Sequence, residues 1–387
     1  MPDGRKVTVL GAGVGGLAAA RALALSGAEV TVLEQAPEIR EVGAGLQISP
    51  NGTRVLEALG LGAAFASGSQ PAEAVELLDG EAGGRVLRLD LARGRSGAAF
   101  RFVHRADLVD LLADGARAAG VAIRLSQRVE TVTLGDHPPR LRTAANEELE
   151  CDVLIGADGL HSKVRAALNG VATPFFTGQV AWRATLPGAG DLPPVARVYM
   201  GAGRHLVTYP LRGGQLRNIV AVEERGRWAE ESWSLTDDPL MLRVAFARFV
   251  PEVRGWLDRI ERPNLWGLFR HPVAARWQGQ GAAILGDAAH PTLPFLAQGA
   301  NMALEDAWVL ADSLARAAPE VALPAYQARR EARVRRIVEA ANANARNYHL
   351  SGLKRDIAHA GLRLVNRLAP GRMLDRFDWV YSHDVTG

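Results

Sequence analysis

Lys6-Val7-Thr8-Val9-Leu10-Gly11-Ala12-Gly13-Val14-Gly15-Gly16 is the stretch that decides the fold, together with the Ala/Leu-rich run from Leu17 to Leu25 that follows it. Lys6 to Leu10 is a short β-branched strand that the glycines interrupt. The Ala/Leu run has helical composition, Gly27 ends it, and Glu29 to Leu33 reads as a second strand. The first forty residues are thus a β-α-β unit with Gly-x-Gly-x-x-Gly at its strand-to-helix turn. Gly11 permits the tight turn, Gly13 lets the backbone approach a pyrophosphate, and Gly16 lets the helix pack close to the sheet. The helix amino terminus then offers free N–H groups and a positive dipole end to phosphates. Glu34 closes the second strand 23 residues after Gly11, where it can accept from a ribose diol. In this setting the pattern predicts a dinucleotide site, without separating FAD from NAD. Gly188-Ala-Gly190 and Gly201-Ala-Gly203 lack both the third glycine and the β-α-β context.

Composition bounds what surrounds this unit. At roughly 100–200 residues per domain, the 387 residues imply two or three domains. Apolar residues at 48% and charged residues at 22% exclude a disordered or collagen-like chain. Lys+Arg 45 against Asp+Glu 42 leaves a net charge of +3, too small an excess for nucleic-acid binding. A single cysteine, Cys151, excludes an intramolecular disulfide and any multi-Cys metal site, so no metal is expected and a reducing, cytoplasmic setting is. Val7 to Ala20 resembles a signal-peptide core in apolarity, but Arg21 interrupts it and its glycines fall at a functional spacing. No stretch reaches the ~18–20 uncharged residues that span a bilayer. A soluble protein is expected, with no membrane or nucleic-acid partner.

Outward from the first unit, Gly43-Ala-Gly-Leu-Gln-Ile-Ser-Pro-Asn51 leads into a helix capped by Ser49 or Asn51. Residues 71 to 102 alternate apolar and polar positions around Gly/Asp turns, as antiparallel strands do. His104 to Ala119 returns to a helix, with Leu108, Leu111 and Leu112 on one face. Val121 to Arg124 and Gln127 to Leu134 read as strands, a hairpin-like region runs to Glu150, and Asp152 to Ile155 is a short buried strand. From Thr173 to Arg270 the pattern is mostly strands, with a hairpin about Gly213-Gly214 and one helix near Pro239 to Ile260. Ala282 to Leu285 is another buried strand, and the tail from Gln298 is helical.

Two later motifs carry chemistry. Asp152-Val-Leu-Ile-Gly-Ala-Asp158-Gly-Leu-His-Ser-Lys-Val-Arg165 is a strand, a tight turn and a helix start, with Asp158 at the turn. Gly286-Asp287-Ala-Ala-His-Pro-Thr-Leu-Pro-Phe-Leu-Ala-Gln-Gly299-Ala-Asn301 again sets an aspartate after a buried strand and a glycine at a helix start. With the first glycine pattern, these motifs resemble those of the FAD-dependent aromatic hydroxylases. These are the single-component flavoprotein monooxygenases of the p-hydroxybenzoate hydroxylase fold, and the likeness spans nearly the whole chain. The ending Phe377-Asp-Trp-Val-Tyr381 is similar to the branch of salicylate, 3-hydroxybenzoate and 6-hydroxynicotinate hydroxylases.

The resemblance implies an α/β fold: a Rossmann-like, three-layer FAD-binding domain of the glutathione-reductase type, an inserted mainly antiparallel β-sheet substrate domain, and C-terminal helices. The FAD-binding part would comprise residues 1–70, 102–174 and 272–340, the substrate part 71–101 and 175–271, and the helical end 341–387. It also implies bound FAD, NADH or NADPH as transient co-substrate, and O2. The substrate would be a small phenolic acid of hydroxybenzoate or salicylate type, hydroxylated through a flavin C4a-hydroperoxide by a monomer or homodimer. By the same resemblance Glu34 holds the adenosine ribose, Asp287 the ribityl chain, and Arg105 reaches the FAD. Asp158 would serve the diphosphate side and the approach of the nicotinamide nucleotide. A turn-forming aspartate and a surface arginine are the plain alternatives. Gly299, Ala300 and Asn301 open a helix whose amino terminus suits the negative N1–C2=O edge of a reduced flavin. Pro291-Thr-Leu-Pro294 would pass along the reactive side of the ring and exclude water.

On the substrate side, His205 and Tyr209 stand four apart in Arg204-His-Leu-Val-Thr-Tyr-Pro-Leu211, so a strand points both to one face. In the resembled branch a His and a Tyr at matching positions line the pocket; the plain alternative is a half-buried sheet face. Deprotonating a phenol raises ring electron density, and His205 has a suitable pKa for the base. Tyr209 would hydrogen-bond the substrate. Gln47 and Pro294 lie where the family varies and are expected to shape substrate preference. His290 reads as a structural turn histidine, and His104 has no distinct role. The helix Tyr326 to Tyr348 contains Arg329, Arg330, Arg333, Arg335 and Arg336, which read as a solvated helix face with some ion pairing. Two further readings stay open: an NAD-dependent dehydrogenase without a bound chromophore, and an FAD-binding relative that does not hydroxylate.

Overall fold

A computed structural model describes residues 4–39, 45–93, 98–226, 235–369 and 371–387. The opening unit forms as read: β1 (Lys6–Leu10), α1 (Val14–Leu25) and β2 (Glu29–Leu33). β1 lies inside a six-stranded sheet, with Val7 in register with Val30 on one side and Val153 on the other, both parallel. The order is Gln278–Gly279, Ala282–Ile284, Val153–Gly156, β1, β2, Ala122–Arg124, and only the Gln278–Gly279 edge is antiparallel. Its central strands are apolar on both faces, with Val7, Val9, Val32 and Val153 all buried, because helices cover both sides. α1 packs against the helices Gly299–Arg316 and Arg105–Ala118.

A seven-stranded sheet supplies the second layer system. Its order is Asn264–Arg270, Phe175–Pro187, Leu216–Glu224, Arg204–Leu211, Val195–Gly201, Ala74–Asp79, Arg85–Asp90. Every neighbouring pair is antiparallel except Val195–Gly201 with Ala74–Asp79. The hairpin about Gly213-Gly214 joins Arg204–Leu211 to Leu216–Glu224. A small sheet of Gly45–Ile48, Arg101–His104 and Gln70–Pro71 sets Gln47 opposite Phe102. No helix among the described residues is long and apolar enough to cross a membrane.

Several local expectations are corrected. The single helix near Pro239 to Ile260 is two, Pro239–Ala245 and Pro251–Asp258. Pro251 has no N–H to continue the first helix and takes the opening position of the second. Gly43 and Ala44 lie outside the described residues. Ser49 occupies the N-cap position of Pro50–Ala58 without capping it; its hydroxyl donates to Asn51 Oδ1 at 2.6 Å and accepts from Gln298 Nε2 at 2.9 Å. His104 does have a role: its Nδ1 accepts from Ala106 N and caps the helix Arg105–Ala118.

The arginine-rich helix, Pro319–Tyr348, is only partly solvated. Arg329 and Arg335 pair at the surface with Asp312 and Glu331. Arg330, by contrast, is fully buried, with Nη1 2.5 Å from Glu305 and Nε 2.8 Å from Asp306. Arg333 adds a second contact to Glu305 at 2.8 Å and donates to the carbonyls of Trp379 and Val380. The buried face of Gly299–Arg316 carries two carboxylates, and buried charges require partners.

Candidate active site and cofactor cleft

Between the two large sheets lies a cavity of about 830 Å³, inside the ~300–1,000 Å³ range of small-molecule sites. One end is the Gly13–Gly16 turn, the middle is walled by Arg105, Asp287, Gly299 and Ala300, and the far end by His205 and Tyr209. The three fingerprint glycines differ in what holds them. Gly11 has φ +100°, and a Cβ there would lie 2.5 Å from Ala157 O; on Gly16 it would lie 2.0 Å from Gly11 O. A Cβ on Gly13 would meet nothing within 4 Å, so that position faces open cleft. α1 has no side-chain cap, which leaves its first N–H groups for an anion. This cradle fits a dinucleotide diphosphate.

The acidic residues sit as follows. Glu34 accepts from Ala12 N at 2.8 Å and Ala36 N at 2.9 Å, one bond per oxygen, which leaves lone pairs for a ribose diol. Asp158 Oδ2 accepts from Lys163 N at 2.7 Å and so holds its turn, while Oδ1 is buried without a hydrogen-bond partner among the described residues. Gly159 and Leu160 beside it line the cleft. Asp287 is open to the cleft and otherwise enclosed by protein. Burial raises its pKa, while His290 and Arg105 pull it down. Arg105 is depressed by burial and supported by Asp287.

The Asn301 side chain is fully buried and does not line the cleft: Oδ1 accepts from Ser49 N at 3.0 Å, and Nδ2 donates to Gln47 O and Ala297 O. Successive residues of a helix turn by about 100°. Gly299 and Ala300 therefore face the cleft, while Asn301 turns inward and fastens the helix start to the strand Gly45–Ile48.

At the far end, His205, Val207 and Tyr209 line the cavity together, as strand alternation requires. His205 is 1% exposed, packed against Phe295 and Tyr348. Its Nδ1 lies 2.7 Å from His349 Nε2. Burial first, then His349, holds its pKa well below 6.5, which corrects the expectation of an ordinary imidazole pKa at this position; the ring is neutral. Tyr209 stacks on Phe102 at 5.0 Å, and burial pushes its pKa well above 10, which keeps it a neutral donor. Gln47 and Pro294 both lie on the wall.

Sequence reading missed two residues here. Arg183, on Phe175–Pro187, lines the cleft with its guanidinium 4.9 Å from the Trp266 ring centroid. Burial lowers its pKa to about 10, which leaves it a cation at neutral pH. A charge amid Val180-Ala-Trp-Arg-Ala-Thr-Leu186 was the available signal. His349 stands 144 residues from His205, and no local pattern links them.

Residues 5–341 match the family model described as the FAD binding domain. The chain is 33% identical over 396 residues to the 3-amino-4-hydroxybenzoate 2-monooxygenase PtmB3 of Streptomyces platensis, covering 98% of this chain and 96% of that one. It is 33% identical over 403 residues to the 3-hydroxybenzoate 6-hydroxylase of Polaromonas naphthalenivorans, covering 99% and 97%. Among solved structures, Klebsiella pneumoniae HpxO complexed with FAD and uric acid superposes with a TM-score of 0.85 at 25% identity, covering 97% and 96%. A glycine cradle shaped for a diphosphate and likeness along the full length lead to one assignment: the chain belongs to the FAD-dependent aromatic hydroxylases, and FAD is its cofactor.

Proposed function

We propose that this protein hydroxylates a small phenolic acid of hydroxybenzoate or salicylate type. NADH or NADPH would be the transient reductant and O2 the oxidant. The balance is substrate–H + NAD(P)H + H⁺ + O2 → substrate–OH + NAD(P)⁺ + H2O. FAD, when bound, supplies the redox step and the activation of oxygen. One observation carries the reading: His205 and Tyr209 share a wall of the same cleft that begins at the Gly13–Gly16 turn.

Each residue then has a task set by its surroundings. Neutral His205 takes the phenolic proton, and a base so placed contributes ~10²–10⁴-fold. Tyr209, held protonated, donates to the substrate, and Arg183 is the buried cation for its carboxylate. Glu34 and the glycine turn hold the adenine half of the cofactor; Asp287 and Arg105 hold its middle. The start of Gly299–Arg316, which has no side-chain cap, would supply N–H groups and a positive dipole end to the negative charge of the ring when it is bound and reduced. Asp158, whose Oδ1 has no hydrogen-bond partner among the described residues, would serve the diphosphate side and the nicotinamide approach. A cytoplasmic setting suits a chain whose one cysteine, Cys151, is buried with its thiol pushed up to about 11.

The test is a panel of phenolic acids, including salicylate, 3-hydroxybenzoate and 3-amino-4-hydroxybenzoate, given to the FAD-loaded protein. NAD(P)H oxidation, O2 uptake and hydroxylated product should rise together for at least one acid. Bound FAD with no acid stimulating NAD(P)H oxidation would leave the non-hydroxylating relative as the answer.

A further inference from the structure

We propose that His205, His349 and Glu224 form a proton relay that carries the substrate's phenolic proton from the buried end of the cleft to bulk water. The relay rests on the reading of His205 as the base. Its members come from three elements: the strand Arg204–Leu211, the residue directly after the helix Pro319–Tyr348, and the end of the strand Leu216–Glu224. His205 Nδ1 is 2.7 Å from His349 Nε2, and His349 Nδ1 is 2.7 Å from Glu224 Oε1. Exposure rises outward: the His349 side chain is 2% accessible and that of Glu224 53%. The backbone clamps the arrangement, since Gly203 N donates to His349 O at 3.2 Å and Glu224 N donates to Gly203 O at 2.8 Å.

This geometry sets the tautomers from the surface inward. An ionised carboxylate only accepts, so His349 Nδ1 carries a hydrogen and its Nε2 is a lone pair. That lone pair accepts from His205 Nδ1–H, which leaves His205 Nε2 bare toward the cleft, as a base must be. Beyond these partners, Arg204 is a charge that acts on His349, and it is itself 3.6 Å from Glu223. His205 is otherwise packed by Phe295, Tyr348 and apolar strand neighbours. Burial and Arg204 disfavour a resting imidazolium at His349, against Glu224, so the proton passes through. As His205 Nε2 gains the phenolic proton, its Nδ1 proton moves to His349 Nε2 and the His349 Nδ1 proton to Glu224, then to water. The reverse passage reprotonates the product phenolate and restores the starting tautomers. No electrons are exchanged. His349 touches no reacting atom and is a positioning residue.

The experiment uses the FAD-loaded protein with 3-hydroxybenzoate, following phenolate absorbance by stopped flow. His349→Gln should slow phenolate formation by at least ~10-fold, part of the ~10²–10⁴-fold worth of a positioned base, with substrate affinity within about twofold. Glu224→Gln should slow it only about 2–5-fold, because water reaches that end and can substitute. A proton inventory should be bowed in the wild type and in Glu224→Gln, where water keeps the two-histidine relay running, and linear in His349→Gln. Long-range ¹⁵N–¹H spectra of the wild type should show both histidines as Nδ1–H tautomers, a readout independent of turnover and of whether His349→Gln folds. An Nε2–H tautomer at His349 overturns the relay. So does wild-type ionisation that His349→Gln reproduces at the same rate with a bowed inventory; the base assignment would then survive. A wild type that binds 3-hydroxybenzoate without ionising it overturns the base assignment itself, and the relay with it.

Discussion

Arg330→Ala is the sharpest test of how the cofactor cleft is held. The side chain is fully buried and bridges Glu305 and Asp306 on the helix whose start faces the cleft. Glu305 keeps Arg333 and Asn51 after the change, at 2.8 Å and 2.6 Å. Asp306 keeps only Gly286 N at 3.0 Å and His290. Removing one partner of a buried pair costs ~3–5 kcal/mol, a large share of a total near ~5–15 kcal/mol. Urea unfolding followed by circular dichroism, with FAD fluorescence reporting release, should show that loss. FAD should leave first, because Asp306 anchors the turn that carries Asp287. Adding Asp306→Asn removes the stranded charge and should recover part of the loss. The same network sets an acid limit. Burial raises both carboxyls, but the surrounding cations outweigh it and hold each at about 2, below their ordinary 4.5 and 3.8. Their stabilisation is therefore complete above about pH 4.5 and fades as pH falls toward about 2; in Arg330→Ala this acid-labile contribution should be smaller and its loss should end at a higher pH, since the onset is set by the unchanged unfolded chain. A variant whose stability lies within ~0.5 kcal/mol of wild type, the range of ordinary surface changes, would refute the reasoning.

Three further outcomes are expected. His205→Ala should keep FAD while hydroxylation falls ~10²–10⁴-fold, with much of the reductant recovered as hydrogen peroxide; fully coupled turnover at the wild-type rate would remove His205 from the mechanism. Gly16→Ala drives a Cβ to 2.0 Å from Gly11 O, a backbone atom that cannot swing aside, so the purified protein should elute colourless while circular dichroism still shows a fold. Asp287→Ala forfeits a charge-assisted hydrogen bond of ~1.5–3 kcal/mol, so FAD titration should show binding weaker by about 10–100-fold.

The opening β-α-β unit was legible because its signals are short-ranged: β-branched residues in Lys6–Leu10, glycines at fixed offsets, a helix-forming run. The pairing of His205 with Tyr209 was legible for a similar reason, since a strand's period of two puts them on one face wherever the strand packs. Other features have no local cause. Asn301 stood in a recognisable motif, yet the rotation of its helix against Gly45–Ile48 turned it inward. Arg330 sits among five other helix arginines, and only the arrival of Glu305 and Asp306, 25 and 24 residues earlier, makes it a buried cation. His349 meets His205 because the end of a long helix comes to rest over the seven-stranded sheet. Sequence alone determined the cofactor-binding unit and the strand that puts His205 and Tyr209 on one face, since chain geometry dictates each over a few residues, while the class of chemistry came from the resemblance of its motifs. Tertiary structure alone decided which charges are buried, which motif side chain faces the cleft and how His205 meets His349 and Glu224, since those depend on surfaces that meet only when distant segments pack.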